Sequence, residues 1–397
     1  MRLRFLCLTG LILVFLAAVP LSAQSQPKYH ILGYYASWGI YDRGYYVTDI
    51  PADKLTHLTY AFAFISDAGE ITLGDEWADT QFPYPNEKDD QPLKGNFHQL
   101  QLLKQAHPAL QTLISIGGWS ESGKFSDVAL TDASRKKFAA SVVAFMVKYG
   151  FDGADIDWEY PTGGGDSGNI ERPEDKDNFP LFLAELRAQF DAQQAKDGHH
   201  YLLTIALGSD RSAFQPLDWA AITPSLDWIN VMTYDMAGEW SAVTDFNAPL
   251  YAAGDSISDD IAIRGLLELG IPAEKLVMGA PFYGRGWGGV GATKNGLHQP
   301  YKNIPAGTSE AGSYDYYDIA ANYIGKYPRF WDDTAQSPWL YDKASGLVIT
   351  YDDPESITKK AEYVRSMGLG GMMFWELSQD TPNSALLTAM YDTLIGQ

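Results

Sequence analysis

The chain is almost without cysteine, with a single one, Cys7, in 397 residues. That position falls inside an N-terminal stretch that reads as a secretory leader. Arg2 and Arg4 precede an apolar run from Phe5 to Val19, and Leu21-Ser22-Ala23 forms a small-residue exit. The run is short for a membrane span, so residues 1–23 are expected to be a cleaved signal peptide rather than an anchor. A mature chain would then hold no cysteine, which excludes disulfides and thiolate chemistry; a chain of this size buries a core without such cross-links. Basic residues are also scarce. The 29 Lys and Arg stand against 50 Asp and Glu, a formal net charge of −21, which becomes −23 once the two arginines of the leader are gone. Nucleic acid and anionic membrane surfaces both require basic patches, so neither is an expected partner. No second apolar run approaches spanning length, and no membrane association is expected after cleavage. The seven histidines show no metal-ligand spacing, and His199-His200 beside Gly198 reads as a solvated turn. Gly163-Gly164-Gly165 has no helix start behind it and is not a phosphate loop. Neither a metal nor a cofactor is expected.

What is present is a regular alternation of apolar, β-rich runs with helical patterns, the signature of a parallel α/β fold. The runs are Ile31–Ser37, His57–Ile65, Thr112–Gly117, Gly153–Glu159, Leu202–Gly208, Trp228–Thr233, Leu276–Phe282 and Gly371–Trp375. Their near-continuous hydrophobicity suits strands covered on both faces. Helices are legible between them. Phe138, Val142, Phe145, Met146 and Tyr149 recur at helical spacing, with Thr131 or Asp132 as cap and Gly150 as stop. Phe179, Phe182, Leu186 and Phe190 make another stripe, and Leu386, Leu387, Met390 and Leu394 a closing one. Eight such strands predict an α/β (β/α)8 TIM barrel. Residues 66–96 read as a long loop over the strand ends. The stretch between the seventh and eighth strands is too long for a structureless connection, so residues 287–345 are expected to fold as a small insertion.

The densest chemistry lies from Asp152 to Pro161, Asp-Gly-Ala-Asp-Ile-Asp-Trp-Glu-Tyr-Pro. Strict alternation places Asp155, Asp157 and Glu159 on one face of a strand, roughly 7 Å apart from one to the next. Like charges stacked in this way repel unless they share protons, which drives their pKa values apart and leaves one carboxyl protonated near neutrality. A proton donor beside a charged partner is what cleavage of a glycosidic bond requires. Active sites of such barrels sit at the C-terminal strand ends. Glu159, directly before Tyr160-Pro161, is therefore the candidate donor, with Asp157 next inward and Asp155 deeper. Asp152 has the opposite parity and suits a structural role near the strand start. A retaining glycosidase usually sets a second carboxylate across the substrate, yet every obvious acid here lies on one side.

The chain resembles glycoside hydrolase family 18, the chitinases and their relatives. The family signature Asp-Gly-x-Asp-x-Asp-x-Glu is matched throughout from Asp152 to Glu159. Ser115-Ile-Gly-Gly-Trp119, Met232-Thr-Tyr-Asp235, Pro281-Phe-Tyr-Gly-Arg285 and Gly370-Gly-Met-Met-Phe-Trp375 follow in the family's order over nearly all of the chain. The resemblance implies a monomeric, secreted or periplasmic chitinase, its catalytic barrel in residues 29–397, acting on chitin or N-acetylglucosamine oligosaccharides. It also implies that the substrate's own 2-acetamido oxygen attacks the anomeric carbon, giving an oxazolinium intermediate and net retention. Glu159 would be the general acid/base. Asp157 would orient the acetamido N–H while sharing a proton with Asp155, and Tyr234 would bond the acetamido carbonyl. Tyr34 and Ser115 would contact the buried acid, and Phe62, Gly118, Met232, Asp235, Tyr283 and Arg285 would line the substrate. Trp375 would floor the cleavage subsite, with Trp119 and Trp240 on the leaving-group side, and the insertion of residues 287–345 would be a small α+β unit that walls the cleft. Non-proline cis peptides are implied after Ala61, Glu159 and Trp375. Two other readings use the same fold: a non-catalytic chitin-binding lectin, and an endo-β-N-acetylglucosaminidase acting on glycoprotein or peptidoglycan. The intact acidic row speaks against the lectin, and the aromatic set favours a chitin groove.

Overall fold

A computed structural model describes residues 28–396 apart from 86, 89 and 253–256, so the leader lies outside the described residues. Eight parallel strands close into a barrel: β1 (His30–Ala36), β2 (His57–Ile65), β3 (Gln111–Gly117), β4 (Gly153–Asp157), β5 (Leu202–Gly208), β6 (Trp228–Met232), β7 (Leu276–Pro281) and β8 (Gly371–Trp375). They follow one another around the barrel in chain order, and β8 pairs back onto β1. Each strand expected from the sequence is present, with its ends moved by at most two residues. The largest shift is at β4, which stops at Asp157. Beyond it, the Glu159 N–H donates to Ser122 Oγ at 2.9 Å and its carbonyl accepts from Asn169 Nδ2 at 3.0 Å, so the backbone has left the ladder.

The helices obey local rules. Helix Asp132–Tyr149 is capped by Thr131, whose side chain accepts from the Ser134 N–H, and it ends at Gly150 in the left-handed region (φ 83°). Its Phe138, Val142, Phe145, Met146 and Tyr149 are buried, as are Phe179, Phe182, Leu186 and Phe190 of helix Asp175–Asp197. Together they cover the outer face of the strands. The stretch read as a long loop is more ordered than its acids and prolines suggest. It carries a strand, Ile71–Leu73, antiparallel to β2, a one-turn helix, Glu76–Thr80, and the start of helix Gly95–Ala106. Buried polar anchors hold it, chiefly Glu87, which accepts from His98 Nδ1 and Gln99 Nε2 at 2.8 Å each. Pattern rules built on apolar periodicity do not register such anchors.

Between β7 and β8 a second, five-stranded antiparallel sheet forms from Tyr283–Trp287, Ser313–Asp315, Arg329–Asp332, Ser337–Asp342 and Leu347–Thr350. Trp287, Trp339, Tyr341 and Val348 give it a core of its own, shared with Ala237 and Phe246 from the segment after β6. Where this sheet returns to the barrel, Lys360 is fully buried. Its ammonium donates to Asp352 and to the Ala248 carbonyl at 2.8 Å each and lies 3.4 Å from Asp259. Removing one partner of a buried ionic cluster leaves uncompensated charge, so K360A is expected to destabilise the fold by about 3–5 kcal/mol. Denaturant unfolding measures this, and a loss under about 1 kcal/mol would show the two carboxylates to be neutral or hydrated.

Candidate active site

The alternation of β4 turns Asp155 and Asp157 into the barrel. Asp155 is fully buried and accepts four hydrogen bonds: from Tyr34 Oη at 2.8 Å, Ser115 Oγ at 2.9 Å, Thr204 Oγ1 at 2.6 Å and Asn230 Nδ2 at 3.1 Å. Those donors come from β1, β3, β5 and β6, so one carboxylate ties half of the barrel together. Burial still raises its pKa against their combined pull. Asp157 has no comparable support, and its Oδ1 is buried with no hydrogen-bond partner in the protein. Burial first, then the charges of Glu159 and Asp155, hold its pKa well above the carboxylate range. Glu159, two residues beyond the strand, is pushed up to about 7 by burial, with Asp235 adding to the rise and a hydrogen bond with Tyr160 opposing it. Burial thus shifts all three acids upward, and Glu159, at about 7, can hold a proton near neutral pH, which places general acid chemistry within reach.

The loop after β3 closes on this row. Gly117 (φ 104°) and Gly118 (φ 85°) occupy backbone that side chains rarely adopt. A Cβ at Gly117 would lie 2.4 Å from the Asp157 carbonyl, and one at Gly118 would lie 2.8 Å from the Phe62 ring. The pair lets the backbone pass against both. Cis peptide bonds occur at Ala61–Phe62, Glu159–Tyr160 and Trp375–Glu376, the three positions the resemblance implies.

Across the mouth, the Tyr234 hydroxyl lies 3.9 Å from the Met373 sulfur, a weak acceptor, and remains available to a better one. Met232 packs at the end of β6 with Tyr34 and Trp375. Arg285 is no ordinary surface ion pair. Its side chain is 12% exposed, its Nε donates to Asp235 at 2.9 Å, and its guanidinium lies 5.0 Å from the Trp240 ring centre and 5.2 Å from that of Tyr283. Trp375 stacks on Phe62 (5.7 Å, 17°), and Phe62 on Trp38 (6.1 Å, 28°). Trp38, Trp119 and Trp240 are each about half exposed, and indole rings left in water at a concave mouth suit the apolar faces of sugars.

The candidate site residues lie on the C-terminal parts of the barrel strands or in the segments that follow them, with Asp155 the deepest. Asp152 does not: it accepts from the Thr112 N–H at 2.7 Å and pairs with Lys104 at 2.6 Å near the opposite end, as its parity implies. Sequence reasoning missed Trp38, Thr204, Asn230 and Ser122. Thr204 and Asn230 do leave a trace, as polar residues inside otherwise apolar strands. Trp38 follows the first strand as an aromatic at its exit. Ser122 leaves none.

A model of the glycosyl hydrolases family 18 matches residues 30–380. The chain belongs to this family. Chitinase A1 of Niallia circulans is 45% identical, over 94% of this chain and 60% of its own length. The present chain thus spans less than two thirds of that relative. Endochitinase 1 of Metarhizium robertsii is 36% identical, over 90% of this chain and 83% of its own. Among solved structures, chitinase ChiA74 from Bacillus thuringiensis superposes with a TM-score of 0.88 at 40% identity, covering 93% of this chain and 70% of that one. The catalytic domain of psychrophilic chitinase B from Arthrobacter TAD20 gives 0.86 at 31%, covering 93% and 96%. This family 18 chain shares with them the whole barrel.

Proposed function

We propose that this chain is an exported chitinase that cleaves β-1,4 bonds between N-acetylglucosamine units with retention, using the substrate's own acetamido group. The observation that carries the reading is the buried row Asp155–Asp157–Glu159, whose pKa values burial raises, in a barrel whose mouth also carries half-exposed tryptophans. Glu159 gives its proton to the glycosidic oxygen as the bond from that oxygen to the anomeric carbon breaks. The acetamido carbonyl oxygen attacks the same carbon, forming an oxazolinium ion. Asp157 accepts a hydrogen bond from the acetamido N–H, its own proton shared with Asp155, while Tyr234 donates to the carbonyl oxygen. Water then enters from the face the leaving sugar vacated and returns a proton to Glu159. The sheet that carries Arg285 forms one wall of the groove. Export rests on the leader-like residues 1–23.

Chitin oligomers and a high-mannose glycoprotein, offered in parallel, test the substrate class. Release from the oligomers alone is expected, and release from the glycoprotein alone would replace chitinase by endo-β-N-acetylglucosaminidase. Binding of chitin oligomers without cleavage would make the chain a lectin. The pH profile tests the acid. Glu159 serves as donor only while protonated, so kcat/KM is expected to fall by about tenfold per pH unit above its pKa of about 7. A profile flat through the alkaline range would assign the proton to another group.

A further inference from the structure

We infer that Asn247 is a positioning residue for this reaction: it locks Asp235 and Tyr283, and through them Arg285, into the geometry that grips the sugar. The inference rests on the chitinase reading above. Asn247 is 1% exposed, and its four hydrogen-bonding groups join three parts of the structure around the mouth. Its Oδ1 accepts from the Asp235 N–H at 3.0 Å, and its Nδ2 donates to the Tyr283 carbonyl at 3.2 Å. Its own N–H donates to Thr350 Oγ1 at 3.2 Å, and its carbonyl accepts from the Met236 N–H at 2.9 Å. One side chain thus staples the exit of β6 to the first strand of the second sheet, while its backbone reaches the last strand of that sheet.

Asp235 has φ 57°, left-handed backbone that a non-glycine residue occupies only when its surroundings hold it there. The bond from its N–H to Asn247 is such a hold. With it in place, Asp235 Oδ1 meets Arg285 Nε at 2.9 Å, and Arg285 lies over the rings of Tyr283 and Trp240. Asp235 also stands close enough to Glu159 to help raise its pKa. Asn247 lies one layer behind this constellation. It acts through Asp235 and Tyr283, which distinguishes positioning from catalysis.

The test measures kcat and KM on chitotetraose for the wild type, N247A and N247D, with thermal unfolding recorded for each. N247A is expected to lose roughly 100-fold in kcat/KM with a raised KM, because a small displacement of the gripping groups is felt at the reacting centre. In the E159Q background it should weaken oligomer binding in step with KM. A smaller folded fraction scales kcat and leaves KM in place. A loss confined to kcat, or wild-type parameters throughout, would therefore overturn the inference. N247D is isosteric. While protonated, its carboxyl keeps both the acceptor toward Asp235 and a donor toward Tyr283; once ionised, it loses the donor and sets a charge beside Asp235. The other titratable or charged groups near that carboxyl are Tyr283, Arg285, Asp245 with its partner His298, and the buried Lys360, which donates to the adjacent Ala248 carbonyl, with its partners Asp352 and Asp259. The ratio of N247D to wild-type kcat/KM should be near one in acid and fall as pH rises, and a pH-independent ratio would count against the assignment. Failure of the wild type to cleave the oligomer would remove the chitinase reading itself, whereas an unimpaired N247A beside an active wild type would remove only the role of Asn247.

Discussion

Replacement of Glu159 by glutamine is expected to lower hydrolysis of chitin oligomers by roughly 1,000-fold or more while leaving oligomer affinity within about threefold of wild type. The amide keeps the shape and volume of the acid and has no ionisable proton to deliver to the leaving oxygen. The wild-type carboxyl is suited to that delivery because burial raises its pKa to about 7, aided by Asp235. Its backbone is held on both sides, the N–H by Ser122 and the carbonyl by Asn169, so substitution at the carboxyl should not move the chain. Binding is expected to depend on other groups, the faces of Trp38, Trp119, Trp240 and Trp375 and the Asp235–Arg285 pair. Steady-state turnover and calorimetric titration of the variant decide the matter together. Turnover near wild type would remove Glu159 from the reaction, and lost binding with a lowered melting temperature would make it a structural residue.

Asp157→Asn is expected to reduce turnover by on the order of 100-fold or more and to shift the pH profile, with a smaller effect on KM. Asp157 is the member of the row without support: its Oδ1 has no partner within the protein, while Asp155 beneath it takes four donors. A buried oxygen left without a partner is poised to accept from a substrate donor, and the acetamido N–H fits that role. Asparagine could still present an oxygen but could not exchange a proton with Asp155 or carry charge beside the oxazolinium ion. Its neutrality also removes a proton partner from the coupled row, so the shape of the pH profile should change. Efficient cleavage of fully deacetylated oligomers by the wild type would contradict assistance by the acetamido group. Weakened binding with turnover intact at saturation would confine Asp157 to ground-state contacts.

Much of this protein was legible before any coordinates. Apolar runs separated by capped helical stripes determine a barrel because parallel strands covered on both faces have few other ways to bury them. The eight strands fall where that pattern puts them. The row Asp155, Asp157, Glu159 was legible because the two-residue period of a strand converts spacing directly into a shared face. Local chemistry also marks the cap at Thr131 and the stop at Gly150. Contacts between residues far apart in sequence leave no such period. Thr204 and Asn230 meet Asp155 only because the barrel closes, Ser122 meets Glu159 only because β4 ends early, and Asn247 meets Asp235 and Tyr283 only because two loops and a second sheet converge. The strand and helices within residues 66–96 depend in the same way on Glu87 and its buried partners. Sequence determined which acids line one face and which strands carry them. Tertiary structure alone decided which acid is supported, which is left unpartnered, and how far burial raises each pKa, because desolvation and hydrogen-bond supply depend on neighbours brought in from distant parts of the chain.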